Sequence, residues 1–163
     1  MKNLKKTAGL ISTAVTAVLF VLILGLLVIQ MFGIKPYIVM SGSMEPTIHT
    51  GSVCFVNTIA DYSDIKNGDI IAFQAAENML VTHRAVAVSD AGIETKGDAN
   101  KVSDGISTTK DNFIGRTVFS LPYVGYWSQA LQTAQGRIIT VSVAAALVLS
   151  AFITRKDNSG EKQ

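Results

Sequence analysis

A chain of 163 residues with a formal net charge of +2 and dispersed charges lacks the basic stripe on which nucleic-acid binding rests, so no nucleic acid is expected as a partner. Apolar residues make up 48% because two segments are almost uncharged, which leaves roughly 90 to 100 residues for a soluble core, enough for one compact domain. One cysteine and two histidines exclude an internal disulfide and give a Cys/His zinc site too few ligands, and no metal or cofactor is expected.

From Thr7 to Ile34 there are 28 residues without a charge, including the Val18 to Ile29 stretch, which apart from Gly25 is all Leu, Val, Ile and Phe. A helix of that length reaches roughly 40 Å, more than the ~30 Å hydrocarbon core requires. A cleaved secretory leader has an apolar region of about 7 to 15 residues, so this run reads as a retained anchor. Residues 1–34 are taken as a short cytoplasmic stub plus transmembrane helix.

Ser41-Gly42-Ser43-Met44-Glu45-Pro46 follows within ten residues of the run, a hydroxyl nucleophile on a Gly- and Pro-punctuated loop beside a membrane surface. Beyond it, β-branched and aromatic runs bounded by Gly, Asn, Asp or Pro predict strands over Ser52–Thr58, Asp69–Gln74, Leu80–Val88, Gly92–Lys96 and Asn112–Leu121. Asn67-Gly68, Gly97-Asp98 and Asp104-Gly105 are turn chemistry. The fold class is mostly β, a small extracytoplasmic domain over 35–136. Cys54, within Val-Cys-Phe-Val, reads as a buried apolar residue.

A second uncharged run of 16 residues, Ile138 to Ile153, is short for a span, and the competing reading is a buried or interfacial helix. Tyr123, Tyr126 and Trp127 precede it as candidate interface anchors. Lys2, Lys5 and Lys6 before the first run, and Arg155 and Lys156 after the second, place both ends on the cytoplasmic side. The expected topology is two-pass in the cell membrane, with 137–154 as the second helix and 155–163 as a cytoplasmic polar tail, disordered from Asp157.

A serine hydroxyl needs a base, and the base needs an orienting group. Only His49 and His83 carry an imidazole. His83 is the better candidate, because alternation along Leu80–Val88 sets it on one face with Val81, Ala85 and Ala87; His49, in a turn, is expected to point to solvent. A satisfied structural histidine is the plain alternative. Asp98 and Asp104 could each orient it, or simply build turns, and composition does not choose.

The ordered set of Ser41-Gly42-Ser43-Met44-Glu45-Pro46-Thr47, Gly68-Asp69-Ile70-Ile71, Thr82-His83-Arg84, Lys96-Gly97-Asp98-Ala99-Asn100 with Asp104, and Gly115-Arg116-Thr117-Val118 leading to Pro122-Tyr123 resembles the type I signal peptidases. The resemblance is to the subclass of the endoplasmic reticulum, archaea and some spore-forming Gram-positive bacteria, called SipW-like in bacteria. It implies a membrane-bound serine endopeptidase acting on signal-peptide-bearing preproteins after small residues, with the lipid bilayer and the protein export machinery as its surroundings.

By that resemblance Ser43 is the nucleophile and His83 the base, standing where typical bacterial enzymes have lysine. Asp104 matches the residue that holds the histidine, Asp98 is required structurally, and the Ser41 hydroxyl joins the Ser43 backbone N–H in the oxyanion hole. Gly-Asp-Ala-Asn in place of a commoner Gly-Asp-Asn-Asn is a departure. Two other classes compete: a catalytically silent membrane protein assisting secretion or binding extracellular partners, and a self-cleaving repressor-type protease. The latter uses a lysine base and a DNA-binding domain, and neither is evident here.

Overall fold

The computed structural model describes residues 2–77 and 79–160. Two compact units emerge: Ile29–Ser128 forms one, and the chain up to Val28 together with that from Gln129 forms the other.

The helix α1 (Lys2–Met31), all but its last three residues in the second unit, is continuous, and its Gly9–Met31 portion, 23 residues, is long and apolar enough to cross a membrane. Two of its hydroxyls are satisfied within the helix, Thr13 Oγ1 donating to the Gly9 carbonyl and Thr16 Oγ1 to that of Ser12, each at 2.9 Å. Such back-bonding lets threonine sit in an apolar helix without an orphan donor.

Among the described residues α1 is the one helix that qualifies by itself; α2 (Val124–Gln132) and α3 (Ala134–Gly160) qualify only if counted as a single broken span. Thr133 caps α3 by accepting from the Gly136 N–H at 3.0 Å. Helical backbone continues to Gly160, through residues where the sequence suggested a disordered tail, since extending an existing helix is cheap compared with nucleating one. Residues 161–163 of that tail lie outside the described residues.

The Ile29–Ser128 unit is one antiparallel sheet of β1 (Ile34–Ile38), β2 (Val53–Asn57), β3 (Ile70–Ala76), β4 (Met79–Ser89), β5 (Gly92–Lys96), β6 (Ile106–Thr108) and β7 (Phe113–Leu121). The spatial order is β1-β2-β7-β3-β4-β5-β6, so β7 returns from the far edge to lie between β2 and β3. Register breaks in β2/β7, β3/β4, β3/β7, β4/β5 and β5/β6 increase local twist. The sheet therefore curls: Asn112 Nδ2 donates to Gln74 O at the end of β3 and to Ser107 O in β6, at 3.1 and 2.9 Å.

Period-2 alternation divides the interior into two clusters. Ile70 and Ala72 of β3 join Met44, Ile48, Cys54 and Val56, while Ile71 and Phe73 join Ile65, Ala85 and Ile93. Cys54 is fully buried, and burial pushes its thiol up to about 11. β1 and β6 have no counterpart among the expected strands. β1 contains Pro36, which a ladder tolerates at an edge, and β1 is an edge strand.

Tyr126, expected as an interface anchor, packs its ring over Gly51, whose positive φ of 78° a side chain would strain. Trp127 is exposed, and Tyr123 stacks at 5.9 Å on His49, which is half-buried rather than free in solvent.

Candidate active site

Ser43 sits on the loop between β1 and β2, and its position follows from its neighbours. Met44 and Ile48 are buried at 1% and 2% exposure in the first cluster, so the loop is pinned immediately after the serine. Glu45 Oε1 accepts from both the N–H and the hydroxyl of Thr50, closing the loop across its base.

His83 lies in β4 at 7% exposure, its ring edge-on to Phe73. Its Nε2 is 3.0 Å from Ser43 Oγ and its Nδ1 is 2.5 Å from Asp104 Oδ2. Three side chains from the 41–50 loop, β4 and the β5–β6 connection thus form one hydrogen-bonded line. With the ring proton on Nδ1, facing the carboxylate, Nε2 keeps its lone pair toward the serine. Ser41 Oγ stands 3.3 Å from Ser43 Oγ.

Asp98 is elsewhere. Adjacent strand residues project to opposite faces, so Arg84 leaves β4 away from His83 and meets Asp98 with Nε to Oδ1 at 2.8 Å and Nη2 to Oδ2 at 2.6 Å. Arg84 Nη1 also donates to Gly68 O at 2.8 Å. The Arg84 hydrogen bonds, ahead of a smaller one from Thr47, hold the Asp98 carboxyl below the usual carboxylate range against the opposing effect of burial.

The pair fixes the 97–100 turn, and that turn reaches the serine: Ala99 N–H donates to the Ser43 carbonyl at 2.9 Å. A Cβ on Gly97 would lie 2.6 Å from the same carbonyl oxygen, so glycine is needed there for close approach. Arg84, part of the Thr82-His83-Arg84 match, received no role from sequence reasoning; a basic residue next to the candidate base, and an aspartate in the Gly97-Asp98 turn for it to meet, were the available signal.

A groove of about 660 Å³ runs past Ser43 and His83. Tyr37–Met40 form one wall, Met79–Thr82 the other, and Met44 and Ile48 contribute to its lining. β5 pairs with β4 from Arg84 onward, which leaves the Met79–His83 edge opposite β3 unpaired by β5.

A family model described as signal peptidase, peptidase S26, matches residues 10–119, well over half the chain. The chain belongs to the signal peptidase S26 family. It is similar to signal peptidase I W of Bacillus subtilis, 38% identical over 96 residues covering 56% of this chain and 50% of that protein. It is similar also to the signal peptidase complex catalytic subunit SEC11 of Colletotrichum graminicola, 34% identical over 101 residues (55% of this chain, 59% of that one). The human SEC11C subunit is 34% identical over 101 residues, covering 54% and 52%. The chain spans about half the length of the curated relatives it matches. Membership and the likeness to both bacterial and SEC11-type proteins agree with the subclass suggested by the ordered motifs.

Proposed function

We propose that this chain is a membrane-anchored serine endopeptidase that removes signal peptides from exported preproteins. The observation that carries the reading is the line Ser43 Oγ, His83 Nε2, His83 Nδ1, Asp104 Oδ2, with separations of 3.0 and 2.5 Å. Ser43 attacks the scissile carbonyl carbon while His83 takes its proton and passes it to the leaving amine. Asp104 holds the tautomer and stabilises the imidazolium. Water, giving its proton to the same histidine, then attacks the acyl carbonyl and breaks its bond to Ser43 Oγ, and the proton passes from His83 back to Ser43. The Ser43 N–H and the Ser41 hydroxyl are the proposed donors to the oxyanion. Asp98 supports the site from behind, through Arg84 and the turn bonded to Ser43.

The groove favours an extended peptide, because the Tyr37–Met40 segment and the Met79–His83 edge flank Ser43. A-x-A junctions are the proposed substrates, small side chains at positions minus one and minus three facing the apolar lining. The apolar α1 supports anchoring at the bilayer, where a substrate's own apolar segment delivers its junction at raised effective concentration. We further propose that α3 completes a second pass, leaving both ends cytoplasmic and the sheet outside, with the export machinery as a neighbour. Detergent-solubilised full chain incubated with a signal-peptide-bearing precursor should yield a product whose new N-terminus follows an A-x-A site. An uncut precursor, or one cut equally by Ser43→Ala protein, would remove this reading.

A further inference from the structure

The hydrogen-bonded line does not stop at Asp104. Thr95 Oγ1 donates to Asp104 Oδ2 at 2.7 Å, and Ser107 Oγ lies 2.6 Å from Thr95 Oγ1. We propose that Thr95, backed by Ser107, is a positioning residue for the peptidase reaction: its hydroxyl selects and fixes the carboxylate oxygen that receives His83 Nδ1–H, and so fixes which ring nitrogen faces Ser43. This rests on the roles proposed above for Ser43 and His83.

The proton inventory gives the line a direction. An ionised carboxylate only accepts, so Thr95 and His83 both donate to the same Oδ2. Thr95 has one hydroxyl hydrogen, and Asp104 takes it. The contact with Ser107 must then be Ser107 donating to Thr95. The order Ser107 to Thr95 to Asp104, with His83 also donating to Asp104, leaves Nε2 as the acceptor for Ser43.

Placement supports the same conclusion. Thr95 is fully buried on the face of β5 that Ile93 shares, opposite Ala85, where an apolar residue would pack well. A buried hydroxyl is costly unless paired, and both partners here are side chains of the same polar line. Backbone bonds hold Thr95 against the Asp104 loop: Asp104 N–H to Thr95 O at 2.8 Å and Thr95 N–H to Gly105 O at 3.2 Å. Asp104 itself lies outside any strand with its side chain 25% exposed, so a second donor from a rigid strand restricts its rotation.

The test uses purified full chain in detergent with a signal-peptide-bearing precursor. Thr95→Val keeps the shape and removes the hydroxyl; Thr95→Ser keeps the hydroxyl. The valine variant should lose on the order of 10-fold in kcat with KM within about twofold, and serine should recover to within about threefold of the wild type. Without substrate, the proton NMR resonance of His83 Nδ1–H, assigned by its absence in His83→Ala, should move in the valine variant and return in the serine one. Wild-type kcat in Thr95→Val, equal losses in both variants, or a kcat loss with an unmoved resonance would each overturn the proposal. If wild-type protein cuts nothing yet the resonance responds as stated, the peptidase reading fails while the hydroxyl line stands.

Discussion

At the residue scale, one strand dipeptide separates two aspartates that composition could not tell apart. His83 and Arg84 leave β4 on opposite faces, and each meets a different carboxylate. The Arg84–Asp98 pair has a pH consequence. Its folded carboxyl is held below the unfolded value by Arg84, so the stabilisation is complete above about pH 4 and disappears as the pH falls through the folded value. Asp98→Asn should therefore lower thermal stability at neutral pH by about 1 kcal/mol, given the partial solvent screening of Arg84, and narrow its difference from wild type in acid. Melting curves between pH 2 and 7 would check this; a constant difference across that range would contradict it. Cys54 gives a simpler expectation. With its thiol pushed up to about 11 and fully buried, it should resist a thiol reagent at neutral pH until the protein unfolds. Rapid labelling of native protein would show the packing around it to be wrong.

At the element scale, what was legible in the sequence was what local pattern controls. The five expected strands coincide with β2, β3, β4, β5 and β7 to within a residue or two, because β-branched runs between Gly, Asn and Asp mark them. β1 was hidden by Pro36 and by its continuity with the apolar run, and β6 is three residues inside a turn-rich stretch. The site residues were legible as chemical types and as an ordered set of motifs. Thr95 and Ser107 were not, since a threonine in Gly-Ile-Glu-Thr-Lys reads as an ordinary strand residue until register places it beside Asp104. The Gly97 contact likewise depends on two loops meeting. It yields a prediction: Gly97→Ala would push on the Ser43 carbonyl, and should reduce cleavage on the order of 10-fold while lowering stability by about 1 kcal/mol. Kinetics beside a melting curve would check it, and a variant with unchanged kcat would show that the turn does not set the serine.

At the scale of the whole molecule, an apolar helix and a small curled sheet perform separate physical tasks. The helix has length and composition for lipid; the sheet closes two modest cores and leaves an open groove beside a polar line. Both tasks are needed for the proposed activity, because the chemistry is only as useful as the delivery of the junction to it. The central claim is that Ser43 and His83 act as one unit. Residues acting together lose activity non-additively. The direct measurement is the cleavage rate of one precursor by wild type, Ser43→Ala, His83→Ala and the double variant. Each single change should cost on the order of 1000-fold or more, and the double variant should be no slower than the worse single one. Wild-type cleavage by either single variant, or losses that multiply in the double variant, would contradict the account.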